Sequence, residues 1–335
     1  MKAKVRSIVF AAQNKVECTK EEQVIEPAAD GVVLETHYSC ISAGTEVAKL
    51  TGLQPFPYPS GLGNRAIGRV VATGPQCEDF AVGDLVFSHI YHVSHSKGAR
   101  LVAKLPDELD RPDSALIGMI TVAITGVRQV NTQIGDIAVV TGAGLVGNFA
   151  AQLLELSGVT TIIVDQVEGR LEKARACGIS HAVNFTKDDP VKLVMDITGG
   201  EGVDTLLECT GNPKAVEGSP DYMAKGGTIV LVGSPRGEYN TDLVSFLNRF
   251  HLHRPHGDLT LKGAHEWKQP INSDGYTKIN MVRNMQTITR LIQSRKLKTK
   301  ELLSKIYKPE GAAQAYKDLI ENMDETLGAV FDWRE

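Results

Sequence analysis

The stretch Ile137-Ala138-Val139-Val140-Thr141-Gly142-Ala143-Gly144-Leu145-Val146-Gly147 decides how the chain is read. An apolar run of strand length is followed by Gly-x-Gly-x-x-Gly and then by an amphipathic stretch, which predicts a buried strand, a tight turn and a helix. Gly142 permits the turn, Gly144 lets a phosphate approach the backbone, and Gly147 lets the helix pack close to its strand. The first N–H groups of that helix have no partner within it and suit a pyrophosphate. In this context the glycines point to a dinucleotide.

The next apolar run, Thr161-Ile162-Ile163-Val164, ends in Asp165, at the spacing of about 20 residues that places an acidic group on the ribose. A carboxylate there accepts hydrogen bonds from the ribose hydroxyls and repels a 2′-phosphate, so NAD(H) is expected over NADP(H). Gln166 follows it, and Arg170 either lies over the adenine face or is a solvated helix residue. Glu208-Cys209-Thr210-Gly211-Asn212 and Leu231-Val232-Gly233-Ser234 follow later strands, at the carboxyl ends where open α/β sheets bind ligands. The candidate cofactor residues are Gly142, Gly144, Leu145, Val146, Gly147, Asp165, Gln166, Arg170, Cys209, Thr210, Gly233 and Ser234, with Thr45 from the first domain.

Around this core, apolar runs at 137–140, 161–164, 205–208, 228–232 and 259–262 alternate with helices starting near Leu145, Glu168, Val191 and Lys214. A doubly wound parallel sheet is expected. Residues 1 to about 120 read as short β-rich runs broken by Gly and Pro, an irregular β domain without helical periodicity. Beyond residue 266, a polar loop precedes helical stretches at 279–295 and 309–322 and a short run, Ala329-Val330-Phe331-Asp332, expected to return to the first domain. The basic run from Arg295 to Lys300 reads as a solvated cap on a helix end.

Composition narrows the function classes. The chain has 335 residues, 42% of them hydrophobic, and a formal net charge of −4 with both signs interspersed. Such a field is too weak to hold nucleic acid or an anionic membrane. No apolar run reaches the roughly 18 residues of a membrane span, and the start lacks the pattern of a signal peptide, so a cytoplasmic location is expected. The cysteines Cys18, Cys40, Cys77, Cys177 and Cys209 show no CxxC spacing and read as reduced thiols.

Taken together, Ser42-Ala43-Gly44-Thr45-Glu46, Gly63-Asn64-Arg65-Ala66-Ile67-Gly68, Val82-Gly83-Asp84-Leu85-Val86, the glycine loop, Asp165 and Arg170-Leu171-Glu172-Lys173-Ala174 resemble the medium-chain dehydrogenase/reductase superfamily over nearly the whole chain. The chain is also similar to a subgroup with an S-A-G-T-E turn and a histidine-bearing stretch after Gly-Asp-x-Val-Phe, which includes bacteriochlorophyllide and sugar or polyol dehydrogenase-like proteins. The resemblance implies a GroES-like catalytic domain over 1–122 and 267–335, completed by the tail, and a Rossmann NAD-binding domain over 123–266. It also implies a homodimer or homotetramer, to which the edge-like run at 259–262 lends itself. In zinc members of the family the ligands are a Cys, a His and a third Cys, Asp or Glu. The aligned positions here are Ala43, Asn64 beside Arg65, and Met119, none an ordinary zinc ligand, and the four-cysteine structural lobe is missing.

An alcohol dehydrogenase without zinc still needs a proton acceptor or fixed donors at the developing alkoxide. His89, His92 and His95 follow the Val86-Phe87 run, and Asn64 and Arg65 stand at the former metal position, where a guanidinium could replace the Lewis acid's charge or clamp an anion. These five, with Glu46, form the candidate catalytic set, expected to line one cleft. His265-Glu266 is a second candidate pair. The expected activity is zinc-independent, NAD(H)-linked interconversion of a secondary alcohol and a ketone on a polyol, sugar or cyclitol. The alternatives are an enoyl or quinone reductase, and a redox-neutral isomerase, epimerase or sensor with retained NAD(H).

Overall fold

A computed structural model describes residues 1–98, 101–253 and 255–334. It divides into two compact units: Met1–Gly118 with Pro270–Arg290 and Leu302–Glu335, and Met119–Gln269 with Leu291–Glu301.

The second unit carries six parallel strands in the spatial order His181–Asn184, Thr160–Asp165, Ile137–Thr141, Val203–Glu208, Met223–Leu231, Thr260–Gly263. In the unit's own chain order this is 3-2-1-4-5-6, the doubly wound arrangement whose direction reverses between the first and fourth strands. Its central strands are buried on both faces through Val139, Val140, Ile162, Ile163, Leu206, Leu207, Ile229 and Val230, which is why they appear as continuous apolar runs. Asp189 and Asn212 cap the helices Pro190–Ile197 and Pro213–Gly218, each with Pro in the first turn. The edge strand His181–Asn184 and the helix Leu243–His251 had no counterpart in the sequence reading. The first is four residues long with only Val183 as a large apolar side chain, and the second leaves Leu243, Val244 and Leu247 exposed.

The first unit is largely antiparallel. Lys2–Ala12 pairs with Lys15–Val24 and Ser60–Gly61, while Leu303–Tyr307, Gly328–Asp332, Val32–Cys40, Ala66–Thr73, Leu85–Ser88 and Val102–Lys104 form the path of a seven-stranded sheet. The tail strand Gly328–Asp332 lies against Val32–Cys40, with Val330 opposite Cys40. Ile8, Phe10, Ile41, Tyr316, Phe331 and Trp333 share one core.

Three local readings are corrected. The Ser42–Glu46 motif opens a helix, Ala43–Leu50, too short at two turns to show periodicity. The basic run closes its helix, which ends at Gln293, but is not solvated throughout: Arg295, at φ 57°, and Lys296 donate their N–H groups to Ile292 O and Leu291 O, both at 2.9 Å, while Leu297 and Thr299 are buried between exposed lysines. Residues 291–301 pack with the second unit rather than the first, since Gln152 accepts from Lys298 N–H at 2.8 Å and donates to Lys298 O at 3.3 Å.

Candidate functional site

The glycine loop of the second unit needs its three glycines for three different reasons. Gly142 has φ +91°, and a Cβ there would lie 2.8 Å from Thr210 Cγ2. Gly144 is the extended N-cap of Leu145–Leu156. A Cβ on it would meet nothing within 4 Å, so this side of the backbone is open to a ligand. At Gly147 a Cβ would sit 1.8 Å from Gly142 O, which forbids any side chain. The N–H groups of Leu145, Val146 and Gly147 start that helix at its positive end. This cradle fits a dinucleotide.

Asp165 closes the loop from the second strand. Its Oδ2 accepts from Ala143 N–H at 2.7 Å, and Oδ1 accepts from Gln166 and Val167 N–H at 2.8 and 2.9 Å. An ionised carboxylate has about four lone-pair sites, so one remains for a hydroxyl. Arg170 Nη1 stands 3.9 Å from Oδ2 with its side chain partly buried, beside the carboxylate rather than out in solvent.

The third wall is the turn after Val203–Glu208. Glu208 is fully buried and accepts from Thr210 N–H at 2.7 Å, from the Thr210 hydroxyl, and from Gly211 N–H at 3.1 Å. Burial pushes its pKa up, and these bonds offset the shift only in part. Burial also pushes the Cys209 thiol well up, which disfavours the thiolate. Gly233 lets its turn pack onto this one, since a Cβ there would be 2.3 Å from Gly211 N; Ser234 is exposed. Thr45 is half-buried in the first unit.

In the first unit a different cluster forms. Glu46, 1% exposed, reaches back to Ser42 N–H with Oε1 at 2.9 Å. Its Oε2 meets His92 Nε2 at 3.1 Å and accepts from the Tyr316 hydroxyl at 2.5 Å. His92 Nδ1 lies 2.7 Å from Ser39 Oγ, which also accepts from Trp333 Nε1 at 2.8 Å. Burial alone would raise the Glu46 pKa, but the charge and hydrogen bond of His92, with the donors Tyr316 and Ser42, hold it below the ordinary value. Gly63 makes room for this ring: a Cβ there would lie 2.6 Å from His92 N and 2.7 Å from its ring carbons.

The candidate catalytic set therefore loses His92 and Glu46, which face each other in the interior. His92 is 0% exposed and faces inward, because Glu46 and Ser39 engage both its ring nitrogens. His89 is buried edge-on against Phe87. His95 is half-buried on the strand His95–Lys97, with Nδ1 3.1 Å from Ser94 Oγ, and burial lowers its pKa. Arg65 is buried, donating from Nε to Gly118 O at 2.5 Å and from Nη1 to Asn64 Oδ1; a Cβ on Gly118 would collide with Arg65 Cδ at 2.1 Å. In the second unit His265 is exposed and caps a short turn by accepting from Trp267 N–H at 3.3 Å, while Glu266 is buried and accepts from the Thr121 hydroxyl. Sequence reasoning missed Tyr316, Ser39 and Trp333. Nothing local in the sequence ties them to Glu46.

The aligned zinc positions do not fit the metal. Ala43 begins a helix, Asn64 offers an amide beside the Arg65 cation, and Met119 is a buried thioether, whereas Zn²⁺ takes thiolate, imidazole or carboxylate. Among the described residues no three His, Cys, Asp or Glu side chains converge as a metal-binding group.

Comparison with known proteins agrees on type. A family model described as zinc-binding dehydrogenase matches residues 146–272. An uncharacterized zinc-type alcohol dehydrogenase-like protein of Haemophilus influenzae is 28% identical over 313 residues, spanning 84% of this chain and 90% of that protein. Sorbitol dehydrogenase of Halalkalibacterium halodurans is 28% identical over 274 residues, 70% of this chain and 77% of that protein. Among solved structures, a Sinorhizobium meliloti protein described as a zinc-binding dehydrogenase and bound to NADP superposes with a TM-score of 0.79. It is 18% identical and covers 99% of this chain and 100% of its own.

Proposed function

The chain belongs to the medium-chain dehydrogenase/reductase superfamily, and from that premise we propose that it interconverts a secondary alcohol and a ketone with NAD(H), without a catalytic zinc. It is an oxidoreductase acting on CH–OH groups, and its cofactor is a nicotinamide dinucleotide. The substrate class we propose is a polyol, sugar or cyclitol, in keeping with a relative named for sorbitol.

The observation that carries the cofactor choice is Asp165. Its carboxylate is fixed by three backbone N–H groups at the end of the second strand, where a 2′-phosphate would meet like charge. The nicotinamide, when bound, accepts or returns the hydride at the carbinol carbon. The protein's own residues then have two tasks, to hold the dinucleotide and to take the hydroxyl proton. Leu145, Val146 and Gly147 N–H groups hold the pyrophosphate, and Asp165 holds the ribose. For the proton we assign His89 or His95, since His92 is committed to Glu46. Burial lowers the His95 pKa, which favours the neutral imidazole, the form that accepts a proton. Asn64 and Arg65 orient the substrate oxygen.

No helix among the described residues is long and apolar enough to cross a membrane. We assign a cytoplasmic homodimer or homotetramer, paired through the edge strand Thr260–Gly263, where Leu261 is exposed.

Titrating NADH and NADPH while following the absorbance of NADH with a panel of polyols tests the whole reading. Tighter NADH binding and turnover that survives a chelator are expected. Equal affinity for NADPH, or a stoichiometric zinc required for turnover, would overturn it.

A further inference from the structure

The turn that joins the two halves of the dinucleotide site is organised by one buried side chain. Glu208 Oε1 takes both donors of Thr210, and Oε2 takes Gly211 N–H. The main-chain oxygen of the same residue accepts from Val232 and Gly233 N–H at 2.9 and 2.8 Å. Cys209 N–H in turn donates to Thr141 O at 2.9 Å, immediately before Gly142. The packing is close on both sides. Absent Cβ atoms would lie 2.8 Å from Thr210 at Gly142, 3.3 Å from Cys209 at Gly147 and 2.4 Å from Ser234 O at Gly211. The 209–211 turn is thus wedged between the glycine loop and the 232–234 turn. Its strand and the strand Ile137–Thr141 are the pair where the sheet order reverses, the place where such sheets hold ligands.

We infer that Glu208 is a positioning residue of the dinucleotide site: its carboxyl sets the 209–211 turn against the glycine loop without itself touching the cofactor. This rests on the dinucleotide reading of the cradle. A carboxyl suits the task because it offers acceptors on two oxygens and the turn presents only donors. Glutamine at this position keeps Oε1 for Thr210 but places an amide N–H against Gly211 N–H. Alanine removes all three bonds.

The test is NADH binding, followed by the blue shift and enhancement of its fluorescence, alongside the thermal unfolding midpoint of the same samples. Glu208→Ala should weaken NADH binding about 10- to 100-fold and Glu208→Gln about 3- to 10-fold, the graded loss of one to three hydrogen bonds. A carboxyl serving the fold alone would lower the unfolding midpoint of both variants and leave the Kd of the folded protein within about twofold of wild type. That result in Glu208→Gln, which retains the Thr210 bonds and can be judged even if the alanine variant does not fold, overturns the assignment. Wild-type protein that binds neither NADH nor NADPH would instead overturn the dinucleotide reading itself.

Discussion

Each unit buries one glutamate completely, and the two are stabilised in opposite ways. Glu46 of the first unit has a histidine partner and a phenol, and its carboxyl is held below the ordinary pKa. Glu208 of the second unit has neutral partners, chiefly the N–H groups of Thr210 and Gly211 and the Thr210 hydroxyl, and burial carries its pKa above the ordinary value. Both are burials of a group that strongly prefers water. The difference follows the partner: at Glu208 burial outweighs the neutral donors and raises the pKa, whereas at Glu46 the facing imidazole turns the balance downward. It also separates two uses. The Glu46 cluster ties Ser39 of an early strand to Tyr316 and Trp333 of the tail, so it serves the closure of the first unit. The Glu208 carboxyl shapes one turn at a ligand-binding edge.

The contrast breaks most visibly at His92. Removing one member of a buried pair leaves the other charge without compensation, which costs about 3–5 kcal/mol. His92→Ala should lose that much stability in urea unfolding, and His92→Ala with Glu46→Gln should lose less than the sum of the two single variants. A loss below about 1 kcal/mol would mean that Tyr316 and Ser42 suffice for Glu46, erasing the distinction between the sites.

A smaller change is expected at the other glutamate. Thr210→Val removes one neutral donor from Glu208 and keeps the N–H, so about 1–2 kcal/mol should be lost. If this variant were as damaging as His92→Ala, Glu208 would behave as an ionised group dependent on every donor.

How much of this was legible beforehand follows from the range of each interaction. Strands buried on both faces announce themselves as apolar runs, and Gly142, Gly144 and Gly147 carry their reasons in their spacing, so the parallel sheet and its cradle could be read directly. The edge strand His181–Asn184 has too few apolar residues to register, and Ala43–Leu50 is too short. The partners of Glu46 lie 46 and 270 residues away, a separation no local pattern encodes. For that reason His92 was grouped with His89 and His95 by adjacency, although its ring belongs to the core. Glu208 was visible as a letter after a strand. Whether such a residue ends up beside an imidazole or beside amides is decided by packing, and the two outcomes shift its pKa in opposite directions.

The finest expected effect is a difference in sign with pH. Glu46 has a depressed pKa in the folded state, so its contribution is fully present above the ordinary value of 4.5 and is lost as pH falls below it toward the folded pKa. Glu208 has a raised pKa, so the folded state holds its proton longer than the unfolded state does; stability is lost as pH rises from 4.5 toward that raised value, and the penalty is constant beyond it. Each slope is bounded at about 1.4 kcal/mol per pH unit for a single proton. Two units need not unfold together, but the chain has two tryptophans, one in each: Trp333 bonded to Ser39 in the Glu46 cluster, and Trp267 in the second unit. With Trp267→Phe, the remaining fluorescence follows the first unit, and with Trp333→Phe it follows the second. Urea midpoints measured across pH 4–8 should then show Glu208→Gln flattening the decline of the Trp267 signal on the alkaline side of 4.5, where Glu46→Gln leaves the slope of the Trp333 signal unchanged. Equal flattening by both variants on that side would show that the two glutamates titrate alike, and that the histidine facing Glu46 does not set it apart.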